Sequence, residues 1–291
     1  MGGGAWSSNE FHKTIKTRGF SSVDAITDSA VNQSFTATHM DEKLNPYKVI
    51  RECVDTEEHS NTVPVMLCLD CTGSMGNSLK ECFANLDKTI TKLLENIADV
   101  EICVAGIGDF AYDRAPFQVS QYESDNRILD WLLRIWQEKG GGGNLWESYT
   151  APWYFALHHT KLDCWKRGRK GIIITIGDEG ANPYLPGKKV NEFFGDNVQG
   201  DIDTKELLKE VEQKFDVYHI AITDDECSYD YHKEVIKKTW PSLLGQHFMT
   251  GKSKNLPELI TNIVMDSVNS VSFEFVEVGS ANVDSDGNIS W

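Results

Sequence analysis

Asp70, Thr72 and Ser74 stand at alternate positions of Asp70-Cys71-Thr72-Gly73-Ser74-Met75-Gly76, directly after the apolar run Val63 to Leu69. One carboxylate and two hydroxyls spaced in this way can aim at a common point where the backbone turns, and the two glycines permit that turn. Hard oxygen donors suit a cation of the Mg²⁺ type, with Mn²⁺ or Ca²⁺ as variants, and so few protein ligands leave positions for water or a partner. The same residue types also cap helices, and Ser74 or Asn77 could start the helix that follows. Asp70 closes a wholly apolar strand, however, which argues against capping alone and favours cation binding.

Two further loops carry candidates. Ile176-Gly177-Asp178-Glu179-Gly180 also follows an apolar strand, so Asp178 offers a second carboxylate at the same sheet edge. Glu179 reads as its solvated neighbour. Gly140 to Gly143 precede Asn144-Leu145-Trp146-Glu147-Ser148, from which Asn144, Glu147 or Ser148 could reach the ion; the bland reading is a flexible link between helices. Asp109, in the loop after the next strand, is one more candidate ligand or outer neighbour.

These loops need elements to hold them. Val63 to Leu69, Val100 to Ile107, Gly171 to Ile176 and Val217 to Thr223 read as strands buried on both faces, with Phe117 to Tyr122 as an edge strand and His247 to Met249 as a short one. Between them lie helical patterns: Leu79 to Ile97, Ile128 to Ile135, Glu147 to about Trp165 with Pro152 in its first turns, Lys205 to Phe215, and Leu259 to Val268. Alternating strands and helices predict an α/β, Rossmann-like domain: a mainly parallel central sheet with helices on both faces. Ligands then bind beyond the carboxyl ends of the strands, where the candidate loops lie. The division expected is an extended segment over 1–60, mildly structured at Val49 to Val54, a domain over 61–270, and a tail over 271–291.

Composition narrows the partners. The 291 residues are 40% hydrophobic and 25% charged, ordinary for a globular chain, and their net charge is −16. Such acidity makes nucleic acid and anionic lipid poor partners. No apolar run approaches the ~20 residues of a membrane span. The opening Met1-Gly2-Gly3-Gly4-Ala5-Trp6 matches neither a signal peptide nor a myristoylation motif. With seven cysteines, an odd number, scattered through strands and helices, this predicts a reducing, cytoplasmic setting. Cys68 and Cys71 spell C-x-x-C, but Cys68 lies within a strand instead of at a helix start, so a redox pair is not expected. Asn282 to Ile289 imitates half of a calcium loop but lacks its bidentate glutamate, so it reads as an acidic tail or turn.

The ordered set — apolar strand, D-x-T-G-S at Asp70 to Ser74, glycine-rich loop, then strand-Gly-Asp at Asp178 — resembles the metal-ion-dependent adhesion site of von Willebrand factor A (VWA) domains over roughly Val63 to Val268. Gly108 to Phe110, the polar opening and Gly-Gly-Asn-x-x-Glu-Ser are also similar to an intracellular bacterial and phage branch of that family. The resemblance implies Mg²⁺ or Mn²⁺ among Asp70, Thr72, Ser74 and Asp178, with one coordination position taken by a Glu or Asp of a protein partner. It implies a non-enzymatic binding domain, often working beside an AAA+ ATPase or inside a larger assembly. The family usually places a threonine in the glycine-rich loop; here Gly143 or Asn144 stands there, and Asn144, Glu147 or water would substitute.

Asp-Cys-Thr-Gly-Ser also resembles the loop of haloacid dehalogenase-like phosphotransferases, in which Asp70 would be a Mg²⁺-assisted nucleophile. Pro183 stands where that family's final acid belongs, and a helix so soon after Ser74 leaves no room for a cap over the site. A structural subunit with a degenerate metal loop is the third reading.

Overall fold

The computed structural model describes residues 39–75, 85–137 and 145–270, with positions 9, 13, 16, 78, 81, 282, 283, 289 and 290 besides. Twelve strands are labelled below in chain order: β1 (Arg51–Cys53), β2 (Val63–Asp70), β3 (Val100–Ile107), β4 (Phe117–Val119), β5 (Trp146–Glu147), β6 (Thr160–Leu162), β7 (Gly171–Gly177), β8 (Gly180–Ala181), β9 (Tyr184–Leu185), β10 (Ile202–Asp203), β11 (Phe215–Ile222) and β12 (Phe248–Gly251). The helices are α1 (Leu86–Asn96), α2 (Arg127–Leu132), α3 (Ala151–His158), α4 (Gly187–Phe194), α5 (Thr204–Val211), α6 (Tyr229–Leu244) and α7 (Leu256–Ser270).

The central sheet has six strands in the order β12-β11-β7-β2-β3-β4. All its pairings are parallel except β3 with β4, an antiparallel edge. The α/β, Rossmann-like class expected from the sequence is therefore the observed one. Side-chain alternation along β2 divides the interior. Val65, Leu67 and Leu69 enter a core with Ile90, Leu93, Leu132, Ile260 and Ile263 from α1, α2 and α7. Met66 and Cys68 enter the opposite core with Trp153, Phe155, Val190, Leu207 and Trp240 from α3, α4, α5 and α6. A strand buried on both faces is apolar at nearly every position, which is why β2, β3 and β7 stood out in the sequence. Cys68 and Cys71 are free thiols in opposite cores.

Several boundaries differ from the sequence reading. The helix expected over Glu147 to Trp165 is only α3; β6 and a 3-10 turn at Asp163–Arg167 follow it. The Thr160 hydroxyl donates to the Ala156 carbonyl at 2.6 Å as the helix ends, and Thr160–Leu162 then pairs in parallel with β1. Because Ala151 to Ala156 are buried all round, α3 carries no polar stripe to mark its limits. Helices α4 and α6 were not anticipated. In α6 the buried residues are His232, Ile236, Trp240 and Leu244, one per turn, with Pro241 near the end. So sparse a stripe, including a histidine, gives little periodic signal. The expected helix over Leu79 to Ile97 is described from Leu86, and Phe117 to Tyr122 shortens to β4. Asn282–Val283 pairs antiparallel with Ile289–Ser290, while the Asp284 to Asn288 part of the calcium-loop imitation lies outside the described residues. Among the described residues no helix is long and apolar enough to cross a membrane.

Candidate metal centre

Strands β2 and β7 are neighbours and parallel, so the loops leaving their carboxyl ends emerge side by side. This brings Asp70 and Asp178 together across 108 residues of sequence. Asp70 is fully buried. Its Oδ1 accepts the Thr72 backbone N–H at 2.9 Å and the Thr72 hydroxyl at 2.6 Å. The Thr72 hydroxyl lies 2.9 Å from Ser74 Oγ, and Ser74 Oγ donates to Asp178 Oδ1 at 2.9 Å. Four oxygen-bearing side chains predicted from the sequence thus form one unbroken chain of contacts. The 3-10 turn Gly73–Met75 bends the loop so that Thr72 and Ser74 meet.

Each carboxylate is also held from outside the chain of oxygens. Asp178 Oδ2 accepts the N–H of Ser228, the residue that precedes α6, at 2.6 Å. Asp70 Oδ2 accepts the Tyr149 hydroxyl at 2.5 Å. Tyr149 was missed by the sequence reading. It is fully buried, packed edge-on against the rings of His219 at 5.0 Å and Trp240 at 5.5 Å. A Cβ at position 177 would collide with its hydroxyl, so the glycine before Asp178 is the opening through which Tyr149 reaches Asp70. The segment after β5 thus brings a phenol to the site, a few residues beyond the point where a threonine was sought.

The remaining candidates separate. Glu147 is 3% exposed, placed by the pairing of β5 with β8, and its Oε2 has no hydrogen-bond partner among the described residues. Burial first, then the charges of Asp70, Glu179, Asp109 and Asp113, push its carboxyl well above the usual range. Ser148 is a structural tie instead: its hydroxyl accepts the Phe110 N–H at 2.9 Å and its N–H reaches the Gly108 carbonyl. Asp109 is buried in the loop after β3, where its Oδ1 accepts the Ala111 N–H at 2.8 Å. Asn144 and Gly143 lie outside the described residues.

Glu179 corrects the sequence expectation of a solvated residue. It is 7% exposed and its carboxyl is pushed up to about 9, by burial and then by the charges of Asp70, Asp178, Asp109 and Asp113. His232 Nδ1 is 3.6 Å from its Oε1. Burial and the Asp178 charge likewise push Asp70 up to about 7, and burial raises Asp178. Several buried carboxylates close enough to raise one another's pKa, without a lysine or arginine among the causes of these shifts, form a site whose chemistry favours a cation or protons.

Among the described residues no three His, Cys, Asp or Glu side chains converge as metal ligands. The Asp70 to Asp178 cluster has two carboxylates, and its other two donors are hydroxyls. An oxygen set of this composition fits a hard divalent ion that keeps part of its water.

No family model matches the sequence, and no curated protein matches it. Among solved structures, the chain is similar to the open conformation of the pilus adhesin SpaC of Lactobacillus rhamnosus GG, with 13% identity and a TM-score of 0.50 over 77% of this chain and 31% of the adhesin. A second form of SpaC gives 12% identity and a TM-score of 0.49 over 74% and 31%. The chain therefore spans under a third of the adhesin's length, and the likeness concerns the α/β fold alone.

Proposed function

We propose that this chain is a VWA-type, non-enzymatic protein-binding domain that works through a Mg²⁺-type ion at Asp70, Thr72, Ser74 and Asp178. The supporting observation is the continuous oxygen chain from Asp70 through Thr72 and Ser74 to Asp178, joining two loops far apart in sequence. When bound, the ion supplies the positive charge that this cluster of buried carboxylates lacks. Tyr149 fixes the orientation of Asp70 and the Ser228 N–H that of Asp178, so the donor set is organised before a partner arrives. A partner's Glu or Asp then fills an open coordination position. An AAA+ ATPase or a larger assembly in the cytoplasm is the setting that the family resemblance suggests.

Phosphoryl transfer from Asp70 fits less well. A nucleophilic carboxylate needs an oxygen free to attack, whereas Asp70 is wholly buried and both its oxygens accept hydrogen bonds.

The test is affinity capture with the full chain beside Asp70→Ala, each with Mg²⁺ and with EDTA. Partners retained by wild type in Mg²⁺, and lost both in EDTA and with Asp70→Ala, are the expected result. Partners retained equally in all four arms would mean a structural subunit with no role for the ion.

A further inference from the structure

A cavity of about 520 Å³ opens at the other end of the sheet, where Val63, Ile172 and Asp216 begin or nearly begin β2, β7 and β11. That volume lies within the range of small-ligand pockets. Asp70 lies seven residues along β2 from Val63, roughly 23 Å of strand. Its wall carries Arg167, Arg169 and Lys170, from the run Lys166-Arg167-Gly168-Arg169-Lys170. Four cations in five residues run against the character of a chain with 44 acidic and 28 basic residues. Gly168, with φ +68, ends the 3-10 turn Asp163–Arg167 and lets Arg169 and Lys170 lead back into β7 beside Arg167.

Partner accounting separates the three cations. Arg167 is committed: it pairs with Asp55 and donates to the Thr62 carbonyl. Lys170 lies 3.5 Å from Asp216, whose other oxygen accepts the Ser267 hydroxyl. Arg169 forms no ion pair among the described residues. One of its nitrogens donates to the Val268 carbonyl at 3.2 Å, and the rest of its side-chain donors have no partner there. Beside these cations, Ile97, Ile172 and Met265 give the cavity an apolar wall.

We propose that this cavity is a binding site for a small phosphate-bearing molecule, with Arg169 as its principal anchor. The guanidinium fork matches two phosphate oxygens, Lys170 adds a point charge, and the apolar wall takes the body of the molecule. A concave site of this volume suits a small molecule, whereas the net charge of −16 disfavours a nucleic-acid duplex or an anionic membrane. The site is independent of the cation centre and does not rest on it.

Calorimetric titration of the full chain in EDTA tests this, with inorganic phosphate, pyrophosphate and AMP as probes and adenosine as the uncharged control. AMP should bind saturably and more tightly than adenosine. Arg169→Ala should weaken it about tenfold or more, the effect of one charged hydrogen bond, and Arg169→Lys should fall between the two. Asp70→Ala should leave the affinity unchanged. Arg169 is exposed, so its substitution leaves the fold intact, and unchanged circular dichroism checks that. Three results would overturn the proposal: no binding of any phosphate probe in the millimolar range, equal affinity in Arg169→Ala, or binding seen only after Glu274→Gln and Glu277→Gln. The last would assign the cavity to the chain's own acidic segment beyond α7.

Discussion

Tyr149 governs the site at the scale of single residues. Its hydroxyl is the donor to Asp70 Oδ2, and removing it leaves a buried carboxylate oxygen unsatisfied. Tyr149→Phe should therefore cost about 1–3 kcal/mol of stability, read by urea unfolding, and weaken Mg²⁺ binding with it. An unchanged midpoint would show that Asp70 finds another donor. A second expectation follows from the Asp70 carboxyl, raised to about 7 from 3.8. Such a group binds its proton more tightly folded than unfolded. Its contribution to stability is complete below about pH 4 and is lost as pH rises through about 7. In EDTA, melting temperature should fall more steeply between about pH 4 and about pH 7 for wild type than for Asp70→Asn, and Mg²⁺ should raise it most at the alkaline end. Equal slopes in scanning calorimetry would contradict this. Asp70, Thr72, Ser74 and Asp178 were legible because residue type and position after an apolar strand already describe their role. Tyr149 was not, since its role depends on a contact across 79 residues. Glu179 was misread because burial of a loop carboxylate is decided by what packs over it, here His232 and Trp240 of the unanticipated α6.

At the scale of elements, what could be read from the sequence follows burial geometry. Strands β2, β3 and β7 are buried on both faces and spell nearly continuous apolar runs, broken only by Glu101 in β3, Thr175 in β7 and the closing Asp70 of β2, so their existence and limits were plain. Helix α5 was recognisable from its amphipathic pattern, although it ends at Val211 and not at Phe215, which begins β11; its start is fixed by Asp203, whose Oδ1 accepts the N–H groups of Lys205 and Glu206. Asp203→Ala should cost about 0.5–2 kcal/mol in denaturant unfolding; a neutral result would mean that packing of Leu207, Leu208 and Val211 alone holds the helix. The wholly buried α3 and the sparsely striped α6 show the converse. Where an element is apolar all round, or meets the core at one residue per turn, periodicity does not mark its ends. Pairings β1 with β6 and β5 with β8 are tertiary, and short segments of two or three residues carry no sequence signature for them.

At the scale of the molecule, the two ends of one sheet carry opposite chemistry. The carboxyl ends gather Asp70, Asp178, Glu147 and Glu179 in a nearly dry setting, and the amino ends gather Arg167, Arg169 and Lys170 around a cavity. With a net charge of −16, the first end attracts cations and repels acidic surfaces until an ion is bound. Under the proposed function, a bound ion would offset that repulsion and admit a partner's carboxylate. The direct test is calorimetric titration of Mg²⁺, and separately of Mn²⁺, into the metal-free full chain beside Asp70→Ala and Asp178→Ala. One saturable site in wild type, lost in both variants while circular dichroism is unchanged, is the predicted result. No binding in wild type, or equal binding in all three proteins, would contradict a cation centre at Asp70, Thr72, Ser74 and Asp178.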